Sequence, residues 1–222
     1  MTVKHLPGLL YQASDRAFDS RLPDDLRTRS RLHWTPLAVA TLAAQWIDEL
    51  GIRSVVDIGS GVGKFCVAAA LSSQATYIGL EQRARLVKVA RALAHSFDLG
   101  ERVRFVHGIF GSDEVPSAEA YYMYNPFGEN LFGPESQIDG DIEVSEDRYR
   151  GDIMVTEQLL ADVPLGTFII TYNGFGGDIP PTFRQLRASQ GLPNELEIWE
   201  KAGTLGFRRT HSSTDGWPND AA

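Results

Sequence analysis

Residues 55–64 read Val-Val-Asp-Ile-Gly-Ser-Gly-Val-Gly-Lys. A β-branched run ends in an acid, Asp57, and glycines follow at 59, 61 and 63 before an apolar segment from Phe65 to Leu71. Glycines at that spacing let the backbone turn sharply and let a ligand approach its N–H groups, because no Cβ stands in the way. The helix that follows presents its positive N-terminal end there. Strand, glycine turn and helix in this order form a nucleotide-binding corner. Two phosphate-binding patterns fail on spacing. G-x-G-x-x-G needs Gly or Ala where Lys64 stands. G-x-x-x-x-G-K-[ST] needs a glycine at 58 and a hydroxyl at 65, where the chain has Ile58 and Phe65. Asp57, beside the helix N-terminus, would repel a phosphate and suits a cation or a hydrogen-bond donor.

Two further groups lie at strand ends. Glu81 closes a second strand, and in open parallel sheets ligands sit outside the carboxyl ends, where an acid can accept from both hydroxyls of a ribose. The alternative is a solvated strand-end glutamate. The run Tyr121-Tyr122-Met123-Tyr124-Asn125-Pro126-Phe127-Gly128 ends a fourth strand in Asn-Pro-Phe. An asparagine carbonyl and a neighbouring backbone carbonyl can accept both hydrogens of a planar –NH₂ and aim its lone pair, while an aromatic ring stacks on the acceptor. In isolation Asn-Pro also makes an ordinary turn.

The acid followed by G-x-G-x-G resembles motif I of the class I S-adenosylmethionine-dependent methyltransferases, and Glu81 falls at the interval of their ribose acid. Asn125-Pro126-Phe127 resembles their motif IV, the [DN]-P-P-[YF] of amino-methyltransferases, one proline short. The same two motifs are similar to those of the Dot1-type histone-lysine methyltransferases, which pair V-D-[IL]-G-S-G-V-G with an asparagine after strand four. The resemblance covers these motifs and not the whole chain. It implies S-adenosylmethionine as the cofactor, held by Asp57, Gly59, Ser60, Gly61 and Glu81, with Gln82, Gly108 and Ile109 around the adenine. Many members place an acid near position 109; with isoleucine there, adenine falls to backbone groups and apolar contact. Asn125 and Phe127 would be the catalytic pair, Asn125 also touching the cofactor. Orienting the acceptor counts strongly in an in-line displacement from a sulfonium, and little further electrostatic help is needed because the donor loses charge. Related enzymes often close over the methionine end with the segment before their first strong helix, here His33-Trp34-Thr35-Pro36. Thr35 is therefore either a cofactor contact or the N-cap of that helix.

Other candidates carry less. The 129–147 loop holds Glu135, Asp139, Asp141, Glu143, Glu146 and Asp147, and reads as a lid for a basic substrate or as a solvated surface loop. Tyr172-Asn173-Gly174-Phe175-Gly176-Gly177 follows the fifth strand and shapes the acceptor side. The five histidines lack metal-ligand spacing, so no metal is expected. No nucleophile elbow occurs. The single cysteine, Cys66, reads as a small buried residue, and Arg83, Arg85, Lys88 and Arg91 read as the solvated face of a helix.

These groups need elements to position them. From Thr35-Pro36, the residues Val39, Leu42, Ala43, Trp46, Ile47 and Leu50 follow helical spacing until Gly51. Strands are expected at 53–58, 76–81, 103–107, 118–124 and 167–172, with helices at 64–71, 83–97 and 148–161 between or after them. A helix is expected at 182–189, then a closing strand pair at 196–201 and 204–209. Alternating strands and helices predict a doubly wound α/β fold. Its sheet is mostly parallel and seven-stranded with an antiparallel terminal strand, the class I methyltransferase type. The expected layout is a partly helical cap over 1–34, a cofactor-binding domain over 35–210 and a disordered tail over 211–222.

With 222 residues, 43% hydrophobic, the chain can bury one sizeable core. Its formal charge of −8 disfavours nucleic acid as a partner and leaves a protein side chain or a small molecule, and the resemblance at 125–127 implies a nitrogen as the accepting atom. No signal-peptide pattern and no membrane-spanning run appears, so a cytoplasmic enzyme with no membrane partner is expected. Two other classes compete: a non-catalytic S-adenosylmethionine-binding or assembly protein, and a nucleotide-dependent oxidoreductase, which Lys64 and Asp57 disfavour.

Overall fold

Val55, Val56 and Ile58 are all buried, so the strand they form must be covered on both faces. The computed structural model, which describes residues 15–203, places this strand (β1, Ser54–Ile58) inside a seven-stranded sheet of order β3-β2-β1-β4-β5-β7-β6. The others are β2 (Thr76–Glu81), β3 (Val103–His107), β4 (Ala120–Met123), β5 (Phe168–Tyr172), β6 (Phe183–Ala188) and β7 (Leu196–Lys201). β1 to β5 run parallel, and β7 is antiparallel to both β5 and β6.

Side chains alternate across the sheet into two cores. One face carries Val55, Tyr77, Phe105, Tyr122 and Ile170 against α3 (Leu37–Glu49), α4 (Lys64–Ser72) and α5 (Ala84–His95). The other carries Val56, Ile58, Ile78, Tyr121 and Ile169 against α6 (Glu146–Asp162), through Leu160. Burying each such aliphatic side chain stabilises the fold by roughly 1.5–3 kcal/mol. Ala40, Ala43 and Ala44 of α3 and Ala68, Ala69 and Ala70 of α4 are buried too; such small residues let helices and sheet pack closely. Phe65 of α4 stacks on Tyr122, ring centroids 3.5 Å apart.

Ahead of α3 lie a helical turn at 15–19 and two short helices, α1 (Asp24–Thr28) and α2 (Ser30–His33). They are tied to α4 by Lys64, whose Nζ lies 2.6 Å from Asp15 and 2.7 Å from Asp19 and donates to Ser30 Oγ at 3.1 Å. Among the described residues no helix is long and apolar enough to cross a membrane.

Two local expectations are corrected. Residues 182–189 hold a strand, β6, rather than a helix. At this sheet edge the pairing with β7 decides, through Arg184 to Glu200 (2.7 Å) and Gln185 to Glu197 (2.6 Å), with an irregular register between Gln185 and Arg187. β7 pairs within the sheet through β6 and β5; the expected strand at 204–209 and the tail at 211–222 lie outside the described residues. Thr35 is not the N-cap of α3. Pro36 holds that position with no side-chain bond, and Asp15 Oδ1 accepts from the Leu37 N–H at 3.0 Å.

The chain crosses from one side of β1 to the other between β3 and β4. In open α/β sheets the crevice outside the carboxyl ends at such a switch is where ligands bind.

Candidate functional site

A cavity of about 370 Å³ opens at that switch point. Every strand from β1 to β5 sends residues to it: Gly59 and Gly61 after β1, Glu81 and Gln82 at β2, Gly108 after β3, Asn125 to Phe127 after β4 and Asn173 after β5.

The glycine turn is shaped by close packing. Gly59 and Gly61 have φ of +74° and +54°, which L side chains adopt at a cost. A Cβ on Gly61 would lie 2.5 Å from the ring of Trp34, and one on Gly59 would lie 3.0 Å from Pro126. The turn is thus gripped between Trp34 and the loop after β4. The N–H groups of its three glycines and of Ser60 are already engaged. Those of Gly59 and Ser60 donate to Leu80 O, that of Gly63 to Ser60 O, and that of Gly61 to Glu81 Oε2 at 2.9 Å. The glycines therefore serve curvature and contact, and the expected presentation of free N–H groups to a ligand is not what the geometry provides.

Glu81 is 5% exposed and lines the cavity. Besides the Gly61 N–H it accepts from the Arg83 N–H at 2.8 Å. Burial raises its pKa above the ordinary glutamate value, and these two bonds oppose the rise.

Four residues expected at the cofactor are absent from the cavity lining. Asp57 sits under the turn, away from the cavity lining, where its Oδ2 accepts from Cys66 Sγ at 3.4 Å. Burial, resisted by the Cys66 bond and aided by the Glu81 charge, pushes its pKa from 3.8 up to about 7. Ser60 is buried with its Oγ toward β2: a Cβ on Gly79 would lie 2.6 Å from it. Thr35 shares a buried 3.0 Å hydrogen bond with the Tyr122 hydroxyl. Ile109 turns outward, 46% exposed, and its N–H donates to Asp113 Oδ2 at 2.7 Å.

Asn125 is held with φ +39°, a conformation found at turns and at sites under functional constraint. Its N–H donates to Gly174 O at 2.9 Å, and its carbonyl accepts from the Gly128 N–H at 3.1 Å. A Cβ on Gly128 would collide with the Asn125 carboxamide, so glycine there gives that side chain its place. Phe127 is buried, its ring 5.5 Å from that of Phe110, which also lines the cavity. Among the described residues no group of three or more His, Cys, Asp and Glu is placed to hold a metal ion.

Known structures share this fold. The chain is similar to an RNA methyltransferase from Salinibacter ruber in complex with S-adenosyl-L-homocysteine, at TM-score 0.53 and 20% identity over 75% of this chain and 92% of that one. It is similar to the mitomycin 7-O-methyltransferase MmcR, at TM-score 0.57 and 14% identity over 85% of this chain and 60% of that one. It is also similar to TrmN from Thermus thermophilus, at TM-score 0.54 and 19% identity over 84% of this chain and 53% of that one. The chain thus spans little more than half the length of the last two. No protein-family model matches it, and no curated protein matches it in sequence. The fold is the class I methyltransferase fold.

On this methyltransferase fold the segment between β4 and α6 lines one side of the cavity. It contains two 3₁₀ turns, Gly128–Leu131 and Pro134–Ser136, and contributes Glu129, Phe132 and Ile138 to the lining. Arg83 fastens it, with Nη2 2.9 Å from Glu129 Oε1 and Nε 2.9 Å from Asp139 Oδ1. Glu129 Oε1 also accepts from the Ile138 N–H at 2.7 Å. Arg29 donates to Glu135 O at 3.0 Å, and His33 Nε2 bonds to Ser136 O at 2.8 Å. Arg148 of α6 donates to Gln82 Oε1 and lies 3.8 Å from Asp152, and both line the cavity. Burial lowers the His33 pKa and raises that of Asp152.

Arg83 is therefore buried and doubly paired, which corrects its assignment to a solvated helix face. Arg85, paired in the open with Asp25, fits that assignment. Sequence reasoning also missed Arg31, Phe110, Glu129, Arg148, Asp152 and Asn194 as cavity residues. Adjacency to Glu81 was the one available signal for Arg83.

Proposed function

We propose that this chain is an S-adenosylmethionine-dependent methyltransferase acting on a nitrogen of a protein side chain or a small molecule. The observation that carries it is the meeting, in one cavity, of a buried strand-end acid with the Asn-Pro-Phe segment after β4, across a turn whose glycine N–H groups are engaged within the protein. Such a floor fits a ribose and an uncharged base, and offers little to a phosphate at the turn. The cofactor supplies an electrophilic methyl on a sulfonium. Glu81 would accept from the ribose hydroxyls, Gln82 and Gly108 would flank the base, and the turn at Gly59 and Gly61 would carry the rest.

Asn125 Oδ1 is the acceptor for the hydrogens of an amino group, and Phe127, packed on Phe110, gives a planar group a face to lie on. Orientation of this kind is what a direct displacement needs from a protein. The similar structures include proteins named for RNA and for oxygen acceptors, so RNA belongs among the acceptors tested, although a charge of −8 weighs against it. A second reading is cofactor binding without transfer. It draws on the 125–127 motif being one proline short of the enzyme pattern.

Methyl-labelled S-adenosylmethionine should transfer label to a lysine-containing peptide or a small amine rather than to an RNA transcript. Asn125→Ala should lower that rate by about a hundredfold, since misplacing the acceptor costs on this order. Intact cofactor binding with no label on any acceptor would favour the second reading.

A further inference from the structure

We infer that Asn173 works beside Asn125 as a second hydrogen-bond acceptor for the nucleophile, so that a primary amino nitrogen is taken and methylated once; this rests on the nitrogen-acceptor reading above. Among the described residues only three that are not glycine have a left-handed backbone, Asp98, Asn125 and Asn173. Two of these, with φ of +39° and +59°, follow adjacent parallel strands and line the same cavity. The register of β4 on β5 ends with Met123 opposite Thr171, which sets Asn125 opposite Asn173 two residues on. One step before them the rings of Tyr124 and Tyr172 lie 4.9 Å apart, and the Asn125 N–H donates to Gly174 O at 2.9 Å.

The backbone around Asn173 is fixed. Its N–H donates to Glu195 O at 3.0 Å, Phe175 is buried, and a Cβ on Gly176 would collide with Tyr149 of α6. Neither the Asn125 nor the Asn173 carboxamide makes a hydrogen bond with any described residue, so both are available to a ligand. A neutral –NH₂ carries two hydrogens and calls for two acceptors that leave its lone pair free. Asn125 Oδ1 supplies one. Of the nearby backbone carbonyls, that of Asn125 accepts from the Gly128 N–H at 3.1 Å, and that of Pro126 lies against the glycine turn, 3.6 Å from a Cβ placed on Gly59. Asn173 Oδ1 supplies the other. In the transfer the nitrogen lone pair forms the new N–C bond, the C–S bond breaks with its electron pair left on sulfur, and the nitrogen releases one proton to water. The product keeps a single N–H and can satisfy only one of the two carboxamides.

The test is methyl transfer from labelled S-adenosylmethionine to two primary amines, a lysine-containing peptide and benzylamine, each beside its N-methyl counterpart. Loss of one hydrogen bond corresponds to about tenfold, so wild-type kcat/KM should favour each primary amine by about that factor. Glycine adopts a left-handed backbone freely, so Asn173→Gly keeps the turn and removes only the carboxamide. It should lower kcat/KM about tenfold on the primary amines and leave the N-methyl forms unchanged, erasing the preference. Its affinity for S-adenosylhomocysteine, read by calorimetry, should match the wild type. Asn173→Asp keeps an oxygen acceptor and should keep most of the preference. An intact preference in Asn173→Gly, or equal losses on both forms, would reduce Asn173 to a turn residue and overturn the inference while leaving the methyl-donor reading intact. A wild type without the preference would overturn it too. Binding of S-adenosylhomocysteine with no label on either primary amine would end it together with the nitrogen-acceptor reading.

Discussion

Asp57 illustrates how alternation along a strand decides what surrounds an acid. Alternation along β1 puts it on the same face as Val55, toward α4, where Cys66 meets it, and not toward the cavity. Its raised pKa has a stability consequence. The folded state holds a proton up to about pH 7, whereas an unfolded aspartate releases it near 3.8. The contribution is therefore complete below about pH 4 and is lost as pH rises toward 7, with a slope of up to about 1.4 kcal/mol per pH unit. Asp57→Asn stays neutral and should flatten this decline: urea midpoints of the two proteins should diverge in the variant's favour between pH 5 and pH 7.5. Midpoints that move in parallel would refute the assignment. Glu81 shifts in the same direction and leaves a smaller slope in the variant. Glu81, Asn125 and the glycines were legible because their types and spacing declare a turn, an acid and a carboxamide at strand ends. Arg31 and Arg148 were not, since nothing near them in sequence says which distant segment they meet.

At the scale of elements, strands bounded by turns were read to the residue: 76–81, 103–107 and 196–201 coincide with β2, β3 and β7. β6 was not, because Arg184, Gln185 and Arg187 carry no apolar alternation, and cross-strand pairing with β7 decides its state. The 129–147 loop was legible as long and acidic, but the order of its 128–141 part was not, because that order comes from Arg83 on another element. Arg83→Ala would leave Glu129 and Asp139, only 12% and 15% exposed, without their cation. It should cost about 3 kcal/mol or more in a urea titration and raise hydrogen exchange across 128–141. Arg85→Ala, which breaks an exposed pair with Asp25, should cost under about 1 kcal/mol. Equal costs would mean the segment does not depend on Arg83.

For the whole molecule, the two-sided sheet was legible from the alternation of strands and helices, and the crossing between β3 and β4 then dictates where a ligand must sit. The packing of the segment ahead of α3 was less legible. Its hold on the glycine turn depends on the buried Lys64 network and on Trp34, whose Nε1 donates to Leu26 O at 3.0 Å. The central claim is that this crevice binds S-adenosylmethionine through the acid at the end of β2, and calorimetric titration of the full chain tests it most directly. The account predicts one S-adenosylmethionine bound per chain, no comparable binding of NAD, and a loss of at least about tenfold in affinity on Glu81→Ala, the size of one or two charge-assisted hydrogen bonds. Absence of binding to the wild-type protein, or equal affinity in Glu81→Ala, would contradict it.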